Sequence, residues 1–164
     1  MKRYLALMCA VMVMGCITGG GKVVTNDGLK TFIYEDRGYK ISYPAHWDES
    51  VDEKMFYGTN GMPALGIRES FLGDKDVSEQ IQKIKDNFND NESYIVRDTS
   101  EATYGGVTFE RLDMSYQDET STYESALFLT ARGDYIYQFL YLAESPSSLE
   151  EAINTTLPTL QFTS

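Results

Sequence analysis

The sequence predicts an α+β domain, an antiparallel β-sheet of about six or seven strands flanked by helices. Three observations carry that expectation. Short segments rich in aromatic and β-branched residues recur along the chain with turn residues between them. Two segments combine the apolar stripe of an amphipathic helix with residues that cap one. One segment near the C-terminus is apolar on both faces, as a central strand covered twice must be.

In chain order, Thr31–Asp36 and Tyr39–Tyr43 read as a hairpin about Arg37-Gly38, because glycine can take the positive φ a tight turn requires. Pro44 ends the second strand. Met55–Tyr57 and Ala64–Phe71 read as two further strands joined by the Gly58–Pro63 turn. Asp76, with Glu79 three residues on, opens a helix. Its apolar stripe is Val77, Ile81, Ile84 and Phe88, opposite Glu79, Gln82, Lys83 and Asp86.

Strands follow at Tyr94–Asp98, at Val107–Tyr116 after Gly105-Gly106, at Tyr123–Ala131 and at Asp134–Leu142. The last two close a long hairpin at Arg132-Gly133. Tyr135, Tyr137, Phe139 and Tyr141 fall on one face of the final strand, and Ile136, Leu140 and Leu142 on the other. A second helix is signalled by Ser145-Pro146 and by Ser148 with Glu151. Leu149, Ala152, Ile153 and Leu157 form its stripe, Pro158 ends it, and Leu160–Phe162 is a short tail.

The N-terminus carries an address. Lys2 and Arg3 precede the apolar run Tyr4–Met14, about eleven residues and too short for the roughly 20 that span a bilayer. This is the pattern of a signal peptide, 1–15. It ends Val13-Met14-Gly15-Cys16, which resembles the bacterial lipobox, in which the cysteine takes the lipid. With Cys9 inside the removed segment, Cys16 is the sole thiol of the mature chain, which excludes an intramolecular disulfide and a thiolate metal site. Residues 16–30, rich in glycine and small polar residues, then read as the lipidated cysteine and a flexible tether, and 31–164 as one domain. Stable anchoring requires more than one acyl chain, of palmitate or similar length.

The chain has 14 Lys and Arg against 25 Asp and Glu, a net charge of −11, with 42% hydrophobic and 13% aromatic residues. Loss of Met1–Gly15 removes two cations and no acid, which moves the charge to −13. Such a chain is repelled by nucleic acid and by anionic lipid, so no nucleic-acid partner is expected.

Gly38-Tyr39-Lys40-Ile41-Ser42-Tyr43-Pro44-Ala45-His46-Trp47, an aromatic strand running into a proline and a tryptophan, resembles the opening of PsbP-like domains. Tyr135 to Phe162, a strand, an amphipathic helix and a terminal phenylalanine, is similar to the way such domains end. The resemblance implies the α/β/α sandwich shared by photosystem II extrinsic subunits and a Ran-binding nuclear import factor. Those relatives are mainly binding and assembly proteins.

Chemistry-bearing motifs are sparse. His46 is the sole histidine and Trp47 the sole tryptophan, and no nucleophile elbow accompanies them. His46 reads as a surface or cap residue. Trp47 reads as a plug at the end of the sandwich core or as a stacking platform for a sugar or peptide. Asp86–Glu92 gathers oxygen atoms without the order of a calcium loop, and Arg132-Gly133-Asp134 reads as a hairpin turn. No phosphate loop, dinucleotide fingerprint or zinc spacing occurs, so no cofactor and no catalytic residue is expected.

The expectation is a lipoprotein held through Cys16 at the extracytoplasmic face of the cell membrane, or at an outer membrane where the host has one. It would act as a non-catalytic binding or assembly module for an unidentified envelope protein. The alternative is a small-ligand or glycan receptor with an aromatic cleft near Trp47, to which His46 would also contribute.

Overall fold

The computed structural model describes residues 21–163. Four strands, β1 (Lys22–Asn26), β2 (Leu29–Tyr34), β3 (Tyr39–Pro44) and β11 (Gln161–Phe162), form a small antiparallel sheet in the order β1-β2-β3-β11. Seven others form the main sheet: β4 (Asp48–Ser50), β5 (Met55–Tyr57), β6 (Ala64–Phe71), β7 (Tyr94–Tyr104), β8 (Val107–Gln117), β9 (Thr122–Arg132) and β10 (Tyr135–Ala143). Their order is β4-β5-β6-β10-β9-β8-β7, antiparallel throughout. Helix α1 (Val77–Asn89) covers one face of the main sheet. Helix α2 (Pro146–Thr156) and the small sheet cover the other.

The period-two pattern decides which side chains go in. In β3, Tyr39, Ile41 and Tyr43 are buried while Lys40, Ser42 and Pro44 are not. β10 stands in the middle of the main sheet and is buried along nearly its whole length. Tyr137, Phe139 and Tyr141 enter the core under the small sheet and α2; Ile136, Leu140 and Leu142 enter the core under α1. The first of these cores is built largely from aromatic rings meeting edge to face, such as Phe109 with Phe139 at 6.0 Å and Phe128 with Tyr141 at 5.7 Å.

Both helices are capped at their N-termini. The Glu79 amide donates to Asp76 Oδ1 at 3.0 Å, and the Ser148 amide donates to Ser145 Oγ at 3.2 Å with Pro146 at the first helical position. The cap of α2 is therefore Ser145, as the Ser145-Pro146 pair signals in the sequence, while Ser148, the other signal there, supplies the amide that is capped. On α1 the stripe begins at Ile81. Val77, assigned to it from the sequence, is 37% exposed, while Ile81 and Phe88 are buried and Ile84 is partly buried against the same core.

Strand β7 runs to Tyr104, beyond the expected end at Asp98, β4 is an added strand, and the boundaries differ again at both ends of the domain. Lys22–Lys30, read as part of a flexible tether, lie mostly in strands: β1 pairs along its length with β2, from Lys22 opposite Ile33 to Asn26 opposite Leu29. Glycine and small polar residues signal a coil, yet the Asp27-Gly28 turn lets Val23 and Val24 fold back on the sheet, and Val23 packs on the core. The terminal tail is likewise a strand, β11, whose Phe162 stands opposite Tyr39 while Leu160 is buried just before it. Among the described residues no helix is long and apolar enough to cross a membrane.

Candidate functional site

Cys16 and the 1–15 segment lie outside the described residues. His46 and Trp47 follow β3 at the end of the sheets where the Asp27-Gly28 turn also sits, for the Ala45 amide donates to the Gly28 carbonyl at 3.0 Å. His46 is exposed. Trp47 is 3% exposed, part of the aromatic core, and its carbonyl accepts from Lys30 Nζ at 2.8 Å. A buried indole offers no face to a ligand, so Trp47 is the plug at the end of the core and not a stacking platform. The apolar area of the ring goes into the core instead. Arg132 pairs with Tyr135, which leaves Gly133 and Asp134 as a two-residue turn with Gly133 at φ +55°. In the Asp86–Glu92 stretch, Asp86 accepts from Gln82 and Asn91 from the Ser93 amide.

The opposite end of the sheets gathers what sequence reasoning missed. Here β2 ends at Tyr34, a one-turn 3-10 segment spans Glu35–Arg37, and Gly38 leads into Tyr39. Glu69 of β6 stands opposite Tyr137 of β10, and Lys54 reaches in from the turn between β4 and β5. The Glu69 side chain is 5% exposed and that of Lys54 14%. One Glu69 oxygen accepts from the Tyr39 hydroxyl at 2.6 Å, and the other pairs with Lys54. The Lys54 ammonium also lies 4.5 Å from the centre of the Tyr34 ring. Tyr39 meets Tyr34 at 5.8 Å and Tyr137 at 5.6 Å, both edge to face, and the Tyr137 hydroxyl donates to the Arg37 carbonyl at 2.7 Å.

Burial, and then the negative charge of Glu69, push the phenols of Tyr34, Tyr39 and Tyr137 above their ordinary range. They are therefore protonated at neutral pH, and Tyr39 and Tyr137 act as hydrogen-bond donors. A carboxylate already holding an ammonium and a phenol is a fixed structural anchor, because both of its oxygens have partners.

Outside this rigid base lies a surface of a different kind. Phe71, at the end of β6, is 60% exposed and its ring lies 5.4 Å from that of Tyr135. The Arg37 guanidinium sits 4.6 Å from the Tyr135 ring centre. Tyr137, buried beneath, joins Tyr135 to the partly buried Phe162, 4.8 Å from it, and Arg132 lies 5.6 Å from the Phe162 ring centre. Aromatic rings interleaved with arginines on a rigid support are the composition of a contact surface. The alternation of Tyr135 and Tyr137 was legible in the sequence; the register that sets Phe71 beside Tyr135, and Phe162 beside Tyr137, was not.

The whole architecture matches solved structures. The solution structure of cyanobacterial PsbP (CyanoP) from Synechocystis sp. PCC 6803 superposes with a TM-score of 0.61 over 92% of this chain and 99% of that one, at 11% identity. The fold is PsbP-like. The crystal structure of LpqN, involved in cell envelope biogenesis of Mycobacterium tuberculosis, superposes with a TM-score of 0.62 at 18% identity over 88% of this chain and 91% of that one. A protein from Bacteroides thetaiotaomicron matches at a TM-score of 0.57 and 17% identity, over 77% of this chain and 46% of its own length. No family model and no curated protein matches the sequence.

Within the PsbP-like frame α2 is fastened to the sheet by charge as well as by packing. Arg111 of β8 forms a two-pronged pair with Asp113 and reaches Glu150 of α2, with its guanidinium 5.4 Å from the Phe128 ring centre.

Proposed function

We propose that this chain is a lipoprotein anchored through Cys16 to the extracytoplasmic face of a membrane, where its PsbP-like domain works by binding and not by catalysis. The observation that carries the reading is the start of β1 at Lys22, which leaves only Ile17–Gly21 between the candidate lipidated cysteine and the folded domain. A lipid on Cys16 would hold the domain directly against the bilayer. Confinement of that kind raises the effective concentration of any partner at the same surface, so a modest interface suffices.

The envelope role of LpqN, which has the same fold, supports the location. The commitment of the buried charges supports a binding role: Glu69 is held by Lys54 and Tyr39, and Arg111 by Asp113 and Glu150. The partner is an envelope protein recognised by the exposed faces of the domain. Cys16→Ser should abolish incorporation of labelled palmitate and release the protein from the membrane fraction, while His46→Ala leaves both unchanged. Palmitate labelling and membrane retention that survive Cys16→Ser would overturn the anchor.

A further inference from the structure

We infer that the end of the domain bearing Phe71, Tyr135 and Phe162 seats on the lipid surface itself, which fixes the orientation of the domain on the membrane. The inference rests on the proposed acylation of Cys16. Three observations on the molecule carry it: where the chain enters the fold, which side chains crowd around that point, and how charge divides between the two ends.

The chain enters at Lys22, which stands opposite Ile33 and pairs with Glu35. That is the end of the sheets where the 3-10 turn, the β9–β10 turn and the end of β6 meet. Six residue steps separate Cys16 from Lys22, at most about 20 Å when fully extended. In the other direction β1 runs four steps from Lys22 to Asn26, which stands opposite Leu29, about 14 Å at roughly 3.4 Å per residue. Seating the far end on the bilayer would take up most of the link, whereas the near end reaches it with slack.

The near end also has the chemistry of an interfacial contact. Phe71 is the most exposed of the large exposed hydrophobic side chains among the described residues, and it extends into Tyr135 and Phe162. Rings of this kind favour the headgroup level of a bilayer, with arginines beside them. Arg37 and Arg132 lie over the rings.

Charge points the same way. The described residues carry a net charge of −13, since both cations outside them, Lys2 and Arg3, are lost from the count and no acid is. Around this end Lys22, Arg37, Lys40, Lys75 and Arg132 match in number the acids of the 3-10 turn, the β6–α1 loop and the β9–β10 turn. One end is thus close to neutral while the remainder holds the negative excess. Anionic lipid repels every other orientation more strongly. The far end, with Trp47 and the Asp27-Gly28 turn, is left facing away from the membrane for a protein partner.

The test uses the acylated full-length protein in vesicles of phosphatidylcholine and phosphatidylglycerol containing dibrominated phosphatidylcholine, a short-range quencher of indole fluorescence. Phe71→Trp places a reporter on the near end, and Leu29→Trp, also at an exposed apolar position, places one at the far end. Native Trp47 gives both variants the same buried background. Bromolipid should quench the Phe71→Trp signal at least about twofold more than the Leu29→Trp signal and shift its emission to the blue. Equal quenching in acylated protein that floats with the vesicles would overturn the orientation while leaving the anchor intact. Protein that carries no acyl chain by mass and does not float would overturn the anchor and this inference together. A reporter at position 71 that stays unquenched in vesicles, yet becomes shielded in native membranes, would assign the patch to a protein and overturn lipid seating.

Discussion

Glu69→Gln isolates the buried charge pair beneath the aromatic surface. The substitution keeps the size of the side chain and an oxygen that can accept from Tyr39, but it leaves the Lys54 ammonium without a counter-charge at 14% exposure. Removing one partner of a buried pair costs about 3–5 kcal/mol, and the remaining solvent contact of Lys54, with its position over the Tyr34 ring, offsets part of that. The expected loss is about 2–3 kcal/mol. For a chain of this size that lowers Tm by about 5–10 °C. Urea unfolding followed by Trp47 fluorescence measures it directly, since Trp47 is buried in the same core as Tyr39. Lys54→Met combined with Glu69→Gln removes both charges and should recover to within about 1 kcal/mol of wild type. A Glu69→Gln protein within about 0.5 kcal/mol of wild type, or a double variant as unstable as the two single losses summed, would refute the assignment of a buried ion pair.

Gly38 and Gly133 both sit in left-handed turns, at φ +62° and +55°, but a Cβ at Gly38 would lie 2.9 Å from the Thr163 carbonyl while one at Gly133 meets open space. Gly133→Ala should therefore cost only the conformational strain of about 1–2 kcal/mol, and Gly38→Ala measurably more by denaturant titration. On α1, Phe88→Ala should cost about 3–5 kcal/mol in the same measurement and exposed Lys83→Ala less than about 0.5. Burial, chiefly, raises the phenols of Tyr39, Tyr43, Tyr94 and Tyr141, so the folded state holds those protons more tightly than the unfolded chain. Their contribution to stability is intact below pH of about 10 and is lost as pH rises beyond it. An alkaline titration should show the slow rise of tyrosinate absorbance coinciding with loss of far-UV dichroism; full ionisation of the tyrosines in a chain that stays folded would contradict the burial.

Much of the fold was legible because local pattern and burial agree. β10 reads as apolar on both faces and is the central strand; Asp76 and Ser145-Pro146 read as helix starts and cap helices. The separate small sheet was harder to see, since nothing in Lys22–Asn26 distinguishes an edge strand from a linker. β1 is held by pairing with β2 more than by burial. The candidate surface was not legible for a related reason. Phe71, Tyr135 and Phe162 are separated by long stretches of chain, and only the registers of β6 with β10 and of β11 with β3 bring them together. Trp47 was open to two readings until its burial was known, because a strand-ending tryptophan has the same neighbours in sequence whether it plugs a core or faces a ligand.

The antiparallel union of β1 with β2 also determines how the domain takes mechanical load. A pull transmitted through Gly21 acts along the axis of β1, from the end at which Lys22 faces Ile33. The ladder down to Asn26 and Leu29 is then strained in shear, all its rungs at once, instead of being peeled open one rung at a time. Under the proposed attachment at Cys16, the weakest-looking strand of the molecule would be the fastening that resists an axial pull.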